Sequence, residues 1–179
     1  MSEIVYEEVP SGFEPLPAGL GYTDSLQPCY RKVVGDSASF GMVVREHHCN
    51  SMGRCHGGVL MTLADITAAS GVNLARGKLA GSPTLNLAVD FISGGRLGQW
   101  IQADVQQVSI KRRFGFCNGL VFNAQGVVAR FNGTFYLPDH DGMWEEGKDH
   151  RSVLTDAPPS TLLYLVGLQR VDKCPGGPG

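Results

Sequence analysis

The chain has 179 residues, 42% of them hydrophobic and 18% charged, with a formal net charge of −2. That length suits one domain with extensions and a sizeable core, and the slightly acidic balance argues against bulk nucleic-acid binding as the main activity. Cys29, Cys49, Cys55, Cys117 and Cys174 are odd in number and form no CxxC pair. With no signal-type N-terminus and no run of 18 apolar residues, the expectation is a reduced, cytoplasmic protein with no membrane partner.

Residues 1–26 are acidic, then rich in Pro and Gly, and read as an extended N-terminal arm. Residues 29–34 and 39–44 are short β-prone runs around Gly35-Asp36, the pattern of a hairpin. Residues 47–65, HHCNSMGRCHGGVLMTLAD, begin as a polar loop, pass through Gly57-Gly58 and enter an apolar run. That run predicts a helix of ~19 residues, roughly 28 Å long, ending at Gly77 or Gly81. Being apolar nearly all round, it is expected to be covered on every side. Asp65 lies in its middle, and a buried carboxylate demands a partner or a function.

Residues 84–137 contain no proline, although the chain has ten; central strands exclude proline because each N–H is needed in the ladder. Alternation at Leu85, Leu87, Val89 and Phe91, and again from Val127 to Leu137, marks the first and last of four strands. Residues 100–110 and 114–121 fill the interval, with Gln106-Gln107 breaking the period as a bulge does. Turns fall at 93–95, 111–113 and 123–126. The fold class is therefore α+β, a curved antiparallel sheet wrapped around one long central helix, within residues 27–137. Residues 138–179 form a C-terminal extension, expected to dock on the body or on a second subunit.

Asn50-x-x-Gly53-x-x-His56-Gly57-Gly58, followed by Leu63-Ala64-Asp65, resembles the PaaI-like (phenylacetate-pathway type) branch of the hotdog-fold acyl-CoA thioesterases. The stretch from Thr84 to Phe91, TLNLAVDF, is similar to that family's second strand. The resemblance implies a hotdog fold, a homodimer or a dimer of dimers (homotetramer) with active sites at the subunit interface, and hydrolysis of acyl-CoA. It implies no metal and no cofactor. Position by position, Asp65 matches the catalytic carboxylate and Gly57 the helix-start glycine whose N–H binds the thioester oxygen. Asn50 and His56 match loop residues lining the site, and Thr84 falls where relatives place a Ser or Thr near the attacking water.

Elementary chemistry agrees. Thioester hydrolysis builds negative charge on the carbonyl oxygen, and a helix N-terminus offers free N–H groups and a positive dipole end to receive it. Gly57, lacking Cβ, lets a thioester approach closely, whereas Gly58 is expected to tolerate Ala better. Asp65 then serves as general base on water or as nucleophile, a choice left open. Lys111, Arg112 and Arg113 form a basic knot suited to CoA phosphates or, equally, an ordinary solvated turn; Arg54 and Arg76 are weaker candidates of that kind. Phe91, Trp100, Phe114 and Phe116 are candidates for lining an acyl pocket.

Blander readings exist for each residue. Asn50 suits an Asx-turn, and Thr84 an ordinary strand position. His47, His48, Cys49, Cys55 and His56 lack the spacing of common zinc sites, and no base accompanies Cys49 or Cys55 for nucleophilic catalysis. The enzymatic alternative is a hotdog hydratase or dehydratase, which would use a histidine acid–base group. The non-enzymatic one is an acyl-CoA-binding module without turnover.

Overall fold

A computed structural model describes residues 4–78 and 81–140. Its strands are β1 (Glu14–Pro15), β2 (Cys29–Val34), β3 (Ser37–Val43), β4 (Thr84–Phe91), β5 (Trp100–Lys111), β6 (Phe114–Asn123) and β7 (Gly126–Tyr136). Among the described residues one α-helix, α1 (Gly57–Arg76), and a short 3-10 turn at Glu46–His48 separate β3 from β4. Among the described residues the strands make one antiparallel sheet in the order β1-β2-β3-β5-β6-β7-β4. The expected sequence of strand pair, long helix and four strands is present, as is the bulge, between Val105 and Gln107. β4 does not pair with β5, its neighbour in sequence. It lands at the sheet edge beside β7, with Thr84 opposite Phe135 and Phe91 opposite Ala129.

α1 ends at Gly77, whose φ of 68° and N–H bonds to Asn73 and Leu74 carbonyls make a left-handed cap that a glycine adopts without strain. Its buried face carries Leu60, Leu63, Ala64, Ala68 and Val72, packed with Phe40, Met42, Ile101, Val121, Phe131 and Phe135. Each fully buried Leu or Val contributes ~1.5–3 kcal/mol of apolar transfer. Helix and sheet approach so closely that a Cβ on Gly71 would sit 2.8 Å from Val105 Cγ2. By length and hydropathy alone α1 would suit a membrane span, but half of that stretch is buried inside the fold.

Among the described residues the helix is not covered on every side, contrary to the reading of its composition. Met61 is 40% exposed, and Val59, Thr62, Asp65, Ile66 and Ala69 are only partly buried. One layer of sheet covers one face, and positions spaced three and four apart leave an open stripe on the other. β4 is open too, with Leu85 56% and Phe91 51% exposed.

The described part of the N-terminal arm is tied to the body. β1 pairs with β2, Leu16, Leu20 and Leu26 enter the core, and the Glu7 carboxylate accepts the Trp100 N–H at 2.9 Å. The Trp100 ring meets the Phe13 ring edge-on at 5.0 Å and is buried, so it supports the arm and lines no acyl pocket. The peptide between Gln27 and Pro28 is cis. Most of the C-terminal extension, residues 141–179, lies outside the described residues.

Candidate active site

The loop before α1 is built by local hydrogen bonds. Asn50 Oδ1 accepts the N–H groups of Met52 (2.9 Å) and Arg54 (3.2 Å), and the Asn50 carbonyl accepts from Gly53 N–H, where φ is +68°. That is an Asx-turn. Asn50 therefore shapes the loop, and its carbonyl oxygen is occupied doing so. Cys49 pairs with Cys55 and Arg54 with Arg96 as isolated antiparallel bridges, which hold the loop closed and join it to the segment after β4.

His56 is the N-cap of α1, and its Nδ1 accepts Gly58 N–H at 2.9 Å. The His56 carbonyl accepts from Val59 and Leu60. Of the first-turn donors, Gly57 N–H alone has no acceptor among the described residues. No acidic residue lies in the first turn to offset the positive helix end. The Phe91 ring packs beside Gly57, its Cζ 3.3 Å from where a Gly57 Cβ would be. A Cβ at Gly58 would meet His56 Nδ1 at 3.1 Å, about as close as a Gly57 Cβ would come to Phe91, so space alone does not separate the two glycines.

Asp65 lies two turns further along, half-buried on the open stripe. Thr84 Oγ1 donates to Asp65 Oδ1 at 2.8 Å, so the structure brings these two residues together in one chain. It does not bring Gly57 and Asp65 together. Eight residues of helix separate them by ~12 Å, too far for one water on Asp65 to attack a carbonyl held by Gly57 N–H of the same chain.

The basic hairpin between β5 and β6 divides. Arg113 meets Asp139 at 2.6 Å and the Tyr136 hydroxyl at 3.2 Å, and these partners raise its pKa. Lys111 and Arg112 reach solvent, Arg112 with a left-handed φ of 53°. Arg76, by contrast, donates to the Pro138 carbonyl. Phe114 and Phe116 share a strand face opposite that of Cys117, whose thiol meets the Ala68 carbonyl, so they point away from α1. Among the aromatic candidates, Phe91 is the one at the loop.

The His/Cys cluster disperses. His47 Nε2 pairs with the Gln27 carbonyl, and His48, fully buried, accepts Arg45 N–H. Burial pushes Cys55 up to about 12, with Cys49 nearby adding to the shift, and burial raises Cys49 as well. Neither is poised as a thiolate nucleophile. Among the described residues no three His, Cys, Asp or Glu side chains gather to hold a metal. Sequence reasoning missed the Phe91–Gly57 contact and the Arg54–Arg96 pairing, since both depend on where the segment after β4 returns.

The family model of the Thioesterase superfamily matches residues 52–130. A Pseudomonas aeruginosa protein named as a candidate esterase is 30% identical over 131 residues, which cover 73% of this chain and 98% of that protein. The phenylacetic acid degradation protein PaaI of Thermus thermophilus, in a mutant form, superposes with a TM-score of 0.58 at 25% identity, over 65% of this chain and 98% of its own. The E. coli PaaI protein gives 0.60 at 24% identity, over 68% and 86%. A thioesterase-type protein of Streptococcus pneumoniae, solved with coenzyme A, gives 0.59 at 19% identity, over 73% and 98%, a likeness of fold alone. The chain belongs to the Thioesterase superfamily, and its sheet around a single helix is the hotdog fold. Its class is that of a thioester hydrolase.

Proposed function

We propose that the protein hydrolyses an acyl-CoA thioester, with Gly57 of one subunit and Asp65 and Thr84 of another completing each site. The observation that carries this reading is the separation within one chain of the Gly57 N–H, unpartnered among the described residues, from the Asp65–Thr84 pair. Each half lies on surface that a second copy would cover, namely the stripe of α1 and the edge of β4 with Leu85 and Phe91 that are open among the described residues. An isologous pairing supplies both halves twice.

In this reading the thioester oxygen accepts Gly57 N–H, and the positive helix end favours the developing oxyanion. His56 and Asn50 act one step back. His56 occupies Gly58 N–H and so sets the direction of the first turn, and the Asn50 turn holds the loop. Asp65 takes a proton from water or attacks the carbonyl itself, and the Thr84 hydroxyl orients it. Lys111 and Arg112 lend positive charge at the open hairpin, while Arg113 is already committed to Asp139. A reducing, cytoplasmic setting belongs to the same reading, on the odd cysteine count without CxxC pairs.

Thiol release measured across short, medium, long and aryl acyl-CoAs tests the proposal. Turnover of at least one series is expected. Tight acyl-CoA binding with no thiol released from any would replace the hydrolase by a binding module.

A further inference from the structure

We infer that the cleft beside the Gly57 loop, bounded by Arg54 and Arg96, is the seat of the CoA phosphates; this rests on the acyl-CoA reading above. The cleft has a volume of about 700 Å³. Its polar lining is Arg54, Arg96, Ser93, Gln99, Asn123 and Gln125, and no carboxylate lines it among the described residues. Arg54 and Arg96 are directly opposite each other in an antiparallel bridge, which sets their Cβ atoms ~5 Å apart on one face. Like charges so placed repel, and neither guanidinium has an acidic partner among the described residues. A phosphate accepting from both forks would turn that repulsion into two charge-assisted, bidentate contacts.

Position adds to the charge argument. Arg54 precedes Gly57 by three residues, at most ~10 Å of chain, and Ser93 follows Phe91, which packs beside Gly57, by two. Both walls of the cleft therefore run directly into the proposed oxyanion site. A substrate whose thioester sits at Gly57 and whose far end carries phosphates matches that layout. Gln99 is set for its place by accepting Arg96 N–H at 2.8 Å and donating to Gln125 at 2.7 Å. The chain as a whole is slightly acidic, so this concentration of positive charge is local.

The test uses the full-length protein and its Arg54→Gln/Arg96→Gln double variant. With acyl-CoA, the variant should show KM raised about tenfold or more with kcat within about twofold. With the S-acyl-pantetheine thioester of the same acid, which lacks phosphates, KM should not change. Equal shifts on both substrates, or none on either, overturn the assignment. Calorimetry with adenosine 3′,5′-bisphosphate decides independently of turnover, so failure of the hydrolase reading is seen separately. Binding to wild type that weakens about tenfold in the variant supports the cleft, and unchanged binding sinks it. Inorganic phosphate is the third ligand. If it competes as well as the bisphosphate does, the cleft is a general anion site and the CoA assignment falls.

Discussion

Thr84, nineteen positions after Asp65, donates to it at 2.8 Å, tying edge strand β4 to the middle of α1. A carboxylate on the open face of an otherwise apolar helix is thereby held in one orientation. Asp65→Asn keeps the volume and an acceptor oxygen for Thr84 but removes the charge. Thiol release by a folded Asp65→Asn protein should fall in kcat by roughly 10²–10⁴. Thr84→Val should cost less, about tenfold, since it loosens the carboxylate without removing it. Near-normal turnover of Asp65→Asn would contradict the role.

Gly57 opens α1 and is preceded by His56 with φ −66° and ψ 140°, a conformation that precedes proline readily. Proline is favoured at the first helical position, where its missing N–H breaks no helical bond. Gly57→Pro therefore deletes the first-turn donor left free among the described residues without breaking a helical bond, at the cost of shifting the Phe91 ring that lies 3.3 Å from the Cβ position. Its kcat should fall by about 10²–10³ with circular dichroism unchanged, and Gly58→Ala should lose less. Equal losses would mean the glycines serve the loop's packing alone.

His48 supplies a pH dependence of stability. Burial, and then the neighbouring charge of His47, lower its pKa to about 4 from 6.5, opposed by a backbone hydrogen bond to Leu26 and helped last by the charge of Arg45. The unfolded chain then binds more protons between those values, so stability increases with pH through that window. It is fully present above about 6.5 and is lost as pH falls toward about 4. Thermal melts from pH 7.5 to 4 should show Tm falling below 6.5, and His48→Gln should flatten that part of the curve. An unaltered slope in His48→Gln would assign the effect elsewhere.

Gly71 sets two effects against each other. Ala in a helix interior gains up to about 1 kcal/mol over Gly, but a Cβ here meets Val105 Cγ2 at 2.8 Å. Overpacking costs typically ~1–3 kcal/mol, so packing wins and Gly71→Ala should lower Tm. The pair Gly71→Ala/Val105→Ala should recover part of the loss, and an increase in Tm for the single variant would show that the sheet yields.

Much of the fold was legible because it is written in local patterns. The proline-free interval, the alternation from Leu85 to Phe91 and the left-handed stop at Gly77 each need no distant information. Asp65 stood out as a charge in an apolar run, and its partner Thr84 through the family pattern. What was not legible depends on long-range placement. Nothing local says that β4 leaves its neighbour for β7, that Phe91 then packs beside Gly57, or that Arg54 faces Arg96. The helix composition misled about coverage, since an apolar face reads alike whether its own sheet or another copy is to cover it. Trp100 misled likewise, because an aromatic ring shows no preference in sequence between an acyl chain and Phe13.

In the proposed site one subunit supplies the oxyanion donor and another the carboxylate, so two inactive proteins, Gly57→Pro and Asp65→Asn, should restore each other when mixed after reversible dissociation. Random exchange gives mixed dimers in about half the population, each with one site made wholly of native residues. Thiol release from acyl-CoA should then return to roughly a quarter of the wild-type rate. A mixture as inactive as its two components, with exchange verified by mass-tagged subunits, would contradict a shared site.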